Sequence, residues 1–279
     1  MNLFTLAQNI VPQQTLSKVA GHLAKSDNPI IKKAFVHGFA RAYGIDLAEY
    51  ERGSLDDYDS FNDFFTRELK AGARLIDSTP DGIACPADGK ISQIGAIKHG
   101  QLIQAKGRDY DVGQLLADFE VGKAFTDGSF ATIYLAPTNY HRVHMPFDGR
   151  LVATRYVPGT LFSVNNTTAL HVPDLFARNE RLVCEFETKF GRAFVVLVGA
   201  MIVAGISSVA TGDIKRTPYI QHRTHDIALK KGDELGRFYL GSTAIIVLPK
   251  SAHAVWGDEF IHRSVVKMGQ KIGRVNSLY

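Results

Sequence analysis

Asp233-Glu-Leu-Gly-Arg-Phe-Tyr-Leu-Gly-Ser-Thr-Ala-Ile-Ile-Val-Leu248 is the stretch on which the fold turns. Its second half, Ala244-Ile-Ile-Val-Leu248, is a short apolar run following the turn-type dipeptide Gly241-Ser242. A run of that length and composition reads as a strand. Working outward, the same texture recurs in Ala131-Thr-Ile-Tyr-Leu135, Leu151-Val-Ala-Thr-Arg-Tyr-Val157, Arg181-Leu-Val-Cys-Glu-Phe-Glu187 and Phe194-Val-Val-Leu-Val198. Turn signals separate these runs: Asp88-Gly89, Asp148-Gly149, Pro158-Gly159, Gly191, Gly232 and Gly236. From about Ala84 onward the chain is therefore expected to be β-rich, with barrel or sandwich character, and Val112 to Phe119 is expected to form one short helix.

Upstream the period changes. Leu3, Leu6, Ala7 and Ile10 follow helical spacing, and Leu16, Val19, Ala20 and Leu23 repeat it. Asp27-Asn28-Pro29 offers a cap and a first-turn proline, and Gly44 a stop, for a helix carrying Ile31, Ala34, Phe35, Phe39 and Ala42. An acidic stretch, Ile45 to Asp59, links these helices to another expected from Phe61 to Leu69. The fold class is α+β: N-terminal amphipathic helices, then a β-rich barrel or sandwich-like domain. Residues 1–44 hold Lys18, Lys25, Lys32, Lys33 and Arg41 against Asp27, which accounts for the whole net charge of +4. Two readings stand for these helices: packing on the protein's own core with solvated lysines, or lying on an anionic lipid surface.

Several classes are disfavoured. The longest apolar run, Ala193 to Ile206, has 14 residues and is too short to span a bilayer. Met1 to Ile10 lacks a charged leader region, so no secretory signal is expected. Cys85 and Cys184 give neither a disulfide framework nor a metal motif. The basic residues are too few, and lack a motif, for nucleic acid.

Three places combine reactive groups with turn residues: Pro86-Ala-Asp88-Gly89, Tyr140-His141-Arg-Val-His144-Met-Pro146 and Leu240-Gly241-Ser242-Thr243. Together they supply an acid, imidazoles and a hydroxyl, and chain order does not restrict their geometry. Asp88-Gly89 also reads as a plain hairpin turn. His141 and His144 lack a third metal ligand at suitable spacing, so no metal is expected. Ser242 can attack the carbonyl of Gly241, converting that amide into an ester that β-elimination then opens.

Over most of its length the chain resembles bacterial, pyruvoyl-dependent phosphatidylserine decarboxylase proenzymes. The carrying residues are Leu240-Gly-Ser-Thr243, Tyr140-His-Arg-Val-His-Met-Pro146, Pro86-Ala-Asp-Gly89, Gln104-Ala-Lys-Gly107, Tyr156-Val-Pro-Gly-Thr-Leu-Phe-Ser-Val-Asn165, Val198-Gly-Ala200 and Phe61-Asn-Asp-Phe-Phe-Thr-Arg-Glu-Leu-Lys70. The resemblance implies self-cleavage between Gly241 and Ser242 into a β chain (1–241) and an α chain (242–279), which stay together as a heterodimer. It leaves higher oligomers open. Ser242 becomes a pyruvoyl group, the cofactor, which forms a Schiff base with phosphatidylserine and supports its decarboxylation to phosphatidylethanolamine. His144 matches the base that activates Ser242, Asp88 the acid that orients it, and His141 a second imidazole for proton transfer. In that light residues 1–60 form a membrane-docking helical segment with an acidic linker, and 61–279 the catalytic domain. Residues 1–44 meet an anionic membrane surface, which places the protein peripherally on the cytoplasmic side of the cell membrane. Two other readings are a serine hydrolase using the same Asp-His-Ser set, which would keep the chain intact, and a non-enzymatic barrel-sandwich module. A Gly-x-Ser-x-Gly elbow is absent around Ser242.

Overall fold

The computed structural model describes residues 13–200, 205–239 and 242–276. The Leu3–Ile10 stripe and Gly241 lie outside the described residues. At the centre is an eight-stranded antiparallel sheet. In spatial order its strands are Gln221–Leu229, Gly149–Val157, Arg181–Thr188, Gly191–Gly199, Ser242–Leu248, Ser129–Leu135, Gly89–Ala96 and Val265–Val266. The Ser242 strand lies in the interior, paired from Ser242↔Gly199 to Val247↔Phe194 on one side and from Ser242↔Leu135 to Leu248↔Ser129 on the other.

All seven residues of that strand are buried. Ala244, Ile246 and Leu248 face one apolar cluster, and Ile245 and Val247 the other. Burial on both faces explains a continuous apolar run where a half-exposed strand would alternate. Each Ile or Val so placed contributes about 1.5–3 kcal/mol relative to exposure.

Two smaller sheets cover one face. They supply Ile83, Val143, Ile206, Leu235, Phe238 and Ile272 to the shared core. Helices Val112–Leu116, Phe119–Lys123, Asn166–His171 and Leu175–Arg178, with the hairpin Gln101–Ala105/Arg108–Asp111, cover the other. The arrangement is sandwich-like, and among the described residues no barrel closes: Gln221–Leu229 and Val265–Val266 are each paired on one side only. The long edge strand carries His222, Arg223, His225 and Asp226, which discourages pairing with a foreign strand.

Two expected helices differ in extent. Val112 to Phe119 divides in two because Ala117 adopts φ 52°, and Asp111 and Asp118 each cap a separate turn by accepting from Gln114 N and Val121 N. The helix expected from Phe61 to Leu69 ends at Phe65, and Leu69 bridges back to Tyr50.

The helices Gln13–Ala24 and Pro29–Tyr43 precede the sheets. Asn28 caps the second by accepting from Ile30 N and Ile31 N, Pro29 starts it, and Gly44 at φ 60° ends it, as the sequence indicates. Val36 and Ala40 pack with Tyr58, Phe61, Phe64 and Phe65 in a separate aromatic cluster. Ile30 is 80% exposed, and Val19, Leu23 and Phe35 also reach the surface. Among the described residues no helix is long and apolar enough to cross a membrane.

Candidate active site

Ser242 begins an interior strand of the main sheet, so neighbouring backbone fixes it from both sides. Its side chain is fully buried, and its Oγ has no hydrogen-bond partner among the described residues. A buried hydroxyl without a partner carries a desolvation cost of about 1–3 kcal/mol, which Ser242 shares with Thr132, Thr243 and a few other buried groups.

The two imidazoles sit at the strand Arg142–His144, which pairs with Glu234–Phe238, the strand leading towards Ser242. His141 packs against Phe65 with ring centroids 4.1 Å apart and the rings tilted by 46°. Its Nδ1 lies 2.8 Å from the Asn139 carbonyl. A carbonyl only accepts, so Nδ1 carries the proton and Nε2 presents a lone pair. That Nε2 is buried and has no partner among the described residues. Burial pushes the His141 pKa down to about 3, so the ring is neutral at physiological pH.

His144 is held differently. Its Nδ1 donates to the Gly232 carbonyl at 2.7 Å, and its Nε2 accepts from the Tyr140 hydroxyl at 2.9 Å. Burial lowers its pKa, while the Gly232 carbonyl and the charges of Glu234 and Asp88 pull it back up. Both rings thus share one tautomer, with a basic Nε2.

Asp88 is buried and is not at a hairpin tip. The strands before and after it, Gly82–Ala84 and Gly89–Ala96, belong to different sheets, and Asp88 lies where the chain crosses between them. Gly89 is required there: a Cβ would lie 2.3 Å from the Tyr134 carbonyl of the adjacent strand. The Arg74 guanidinium grips Asp88 through both oxygens at 3.0 and 2.6 Å, the Met268 amide donates at 2.8 Å, and Lys267 approaches at 3.3 Å. Burial alone would raise this carboxyl, but Arg74 and the Met268 amide outweigh it and hold it below the usual range.

The orienting contact expected of Asp88 is made instead by the Gly232 carbonyl. Among the described residues no hydrogen bond joins Asp88 to His144, because the carboxylate is already taken by Arg74, Lys267 and Met268. Ser242 likewise has no hydrogen bond to either imidazole. The described residues thus show Asp88 acting on His144 through space and two neutral imidazoles with unprotonated Nε2 atoms, while the buried Ser242 hydroxyl makes no hydrogen bond to either ring. No group of three potential metal ligands occurs among the described residues.

Arg74, Lys267 and Gly232 were not indicated as site residues by the sequence. Tyr140 lies inside the quoted histidine motif, and Gly232 registers only as a turn signal. The stretch following the Phe61–Phe65 helix also reaches the site: Arg142 donates to the Thr66 carbonyl at 2.8 Å and pairs with Glu68 and Glu234, while Arg67 donates to the Thr138 carbonyl.

A family model described as phosphatidylserine decarboxylase matches residues 61–274, and a second, described as PSD, matches residues 3–44. The chain is 66% identical over 273 residues to the phosphatidylserine decarboxylase proenzyme of Psychrobacter cryohalolentis, covering 98% of this chain and 99% of that one. It is 56% identical over 271 residues to the proenzyme of the same description from Acinetobacter baumannii strain AYE, covering 97% and 95%. With that of Acinetobacter baylyi it shares 53% over 273 residues, covering 98% and 95%.

Proposed function

This chain belongs to the phosphatidylserine decarboxylase family, and from that premise we propose that it decarboxylates phosphatidylserine to phosphatidylethanolamine and carbon dioxide, using a pyruvoyl group that it makes from its own Ser242. The observation that carries this is the Ser242 hydroxyl, wholly buried and without a partner at the head of an interior strand. Ser242 lacks the Gly-x-Ser-x-Gly elbow of a serine hydrolase, and the relatives that match this chain are named proenzymes. Both points favour a self-directed nucleophile acting on the adjoining Gly241 carbonyl, and the residues fit a group made in place from the serine.

Ser242 needs a base to take its proton, and the neutral imidazoles provide one. His144 fills that role, with Asp88 stabilising the imidazolium electrostatically. The Ser242 oxygen adds to the Gly241 carbonyl, and the C–N bond breaks to give an ester and a free amine on residue 242. Loss of the α-proton then expels the Gly241 carboxylate and leaves dehydroalanine. Water converts that to the ketone and releases ammonia. The pyruvoyl ketone supplies an electrophile for the substrate's amine and a sink for the electrons left as carbon dioxide departs. His141 is assigned the second proton transfer on the resemblance and on its nearness to His144 in the motif; its neutral ring must first take up a proton at the bare Nε2 before giving one to the decarboxylated carbon.

After cleavage the chains 1–241 and 242–279 stay associated, because the Ser242 strand hydrogen-bonds to strands of the larger chain on both sides. The basic helices of residues 1–44 dock the protein peripherally on the anionic, cytoplasmic face of the cell membrane. The apolar groove of about 480 Å³ lined by Ala20, Ala24, Phe35, Phe39 and Phe61 supports that docking.

Intact-mass measurement of the purified protein tests the proposal. It requires two fragments, the smaller lighter by one ammonia than an unmodified 242–279 peptide and blocked to N-terminal sequencing. A single full-length species in active protein would remove the reading.

A further inference from the structure

His144 is oriented by a backbone carbonyl, so its position depends on whatever fixes that piece of backbone. Residues 230–233 form a tight turn. The Asp233 amide donates to the Lys230 carbonyl at 2.9 Å, and the Lys230 amide donates to Asp233 Oδ2 at 2.7 Å. Gly232 sits at φ +92°, where a Cβ would meet the Ile76 side chain at 2.9 Å. Its amide donates to the Met145 carbonyl at 2.9 Å, and its carbonyl receives the His144 Nδ1 proton.

The residue before Gly232 is anchored in turn. The Lys231 side chain is only 12% exposed. Its ammonium donates to Asp77 Oδ2 at 2.9 Å, to the Thr79 carbonyl at 2.6 Å and to the Gly82 carbonyl at 3.2 Å, which uses all three protons. Asp77 is 9% exposed; Thr79 Oγ1 donates to its carboxylate, and its own amide donates to the Gly269 carbonyl. Burying such a pair is a poor route to stability, since desolvation cancels much of the attraction, and in some proteins its use is to specify one geometry. Lys231 and Asp77 touch none of the groups assigned to the chemistry.

We propose that Lys231 and Asp77 are positioning residues for His144: their ion pair fixes the 230–233 turn so that the Gly232 carbonyl holds the imidazole in its Nδ1–H tautomer, leaving Nε2, which accepts from the Tyr140 hydroxyl, unprotonated and able to act as base. The same irregular stretch of chain reaches both partners, since Arg74, three residues before Asp77, is the group that grips Asp88. This inference rests on the reading of His144 as the base of self-cleavage.

The test has two independent readouts. The first uses the full chain with Ser242→Ala, which cannot cleave whatever the base is, and reads the His144 tautomer by ring-nitrogen NMR. The Nδ1–H form should dominate, and adding Lys231→Met or Asp77→Asn should give a mixture of both tautomers. The second follows cleavage of the otherwise wild-type chain against pH. Lys231→Met should slow cleavage at least tenfold and move the acid limb to higher pH, as a loosened ring regains solvent. The groups facing that ring are Tyr140, Asp88, Glu234 and Arg142, and all are left in place. Lys231→Arg, which keeps the charge, should restore most of the rate. A folded Lys231→Met or Asp77→Asn protein with a wild-type tautomer overturns the proposal. Asp77→Asn preserves shape and keeps the test available if Lys231→Met does not fold. Failure of wild-type cleavage itself would count against the function, whereas the tautomer readout would still decide this inference.

Discussion

The Ser242–Leu248 strand and the paired N-terminal helices are both rich in apolar side chains, yet they use them in opposite ways. The strand presents its residues to two cores at once, and every one is buried. The helix Pro29–Tyr43 buries Val36 and Ala40 but leaves Ile30 and part of Phe35 in the open, beside Lys32 and Lys33. Hydrophobicity in the first place holds the molecule together. In the second only part of it packs, and the proposed docking assigns the exposed remainder, with the excess positive charge, to an anionic lipid surface. Substitutions should therefore separate into two groups, those that change stability and those that change vesicle binding.

The largest effect is expected on the sheet side, next to the strand before Gly89. Arg74→Met leaves the Asp88 carboxylate buried with only Lys267 and one amide, and should cost about 3–5 kcal/mol. The sign with pH follows from the shift. Asp88 has a depressed pKa in the folded protein, so its pairing stabilises above the unfolded carboxyl pKa of about 4 and is lost as pH falls through the folded value. Urea midpoints of wild type and Arg74→Met should thus differ most near neutrality and converge on acidification. A gap that widened in acid would contradict this assignment.

A direct contrast comes next. Ile246→Ala should lower stability by about 2–5 kcal/mol through the cavity it leaves, read as a fall in Tm, without changing vesicle affinity. Ile30→Ala, at a position 80% exposed, should change stability by less than about 0.5 kcal/mol while weakening vesicle binding. If both lowered Tm alike, the distinction between the two regions would fail. The smallest effect belongs to charge: Lys32→Gln and Lys33→Gln should each weaken binding to phosphatidylserine vesicles by about 1 kcal/mol at low salt, fading as salt is added, with self-cleavage unaffected.

The legible parts of the sequence are those where side-chain type alone decides the outcome. Ala244 to Leu248 reads as a strand because burial on both faces demands an unbroken apolar run. Asn28-Pro29 and Gly44 read as helix ends because cap geometry selects those residues. Ala117 did not, since nothing about alanine announces φ 52°; the capping aspartates at 111 and 118 were the available hint. Asp88-Gly89 looks like a hairpin turn because local sequence does not say which sheets the flanking strands will join. The site was legible as residue types, Asp88, His141, His144 and Ser242, and not as contacts. The acceptor that orients His144 is a backbone carbonyl, and every residue has one, so no residue type marks the position.

The placement of Ser242 within the main sheet has a consequence for the lifetime of the molecule. A cofactor bound from solution can dissociate and be replaced from a pool. A pyruvoyl group made from Ser242 would instead be the first residue of a strand locked between two others. Each polypeptide then carries one charge of reactive ketone, with no route to reload it. If the ketone is lost through a misplaced proton or a stray amine, the only remedy is to synthesise a new chain, so the capacity for this chemistry is set by translation and turnover and not by cofactor supply.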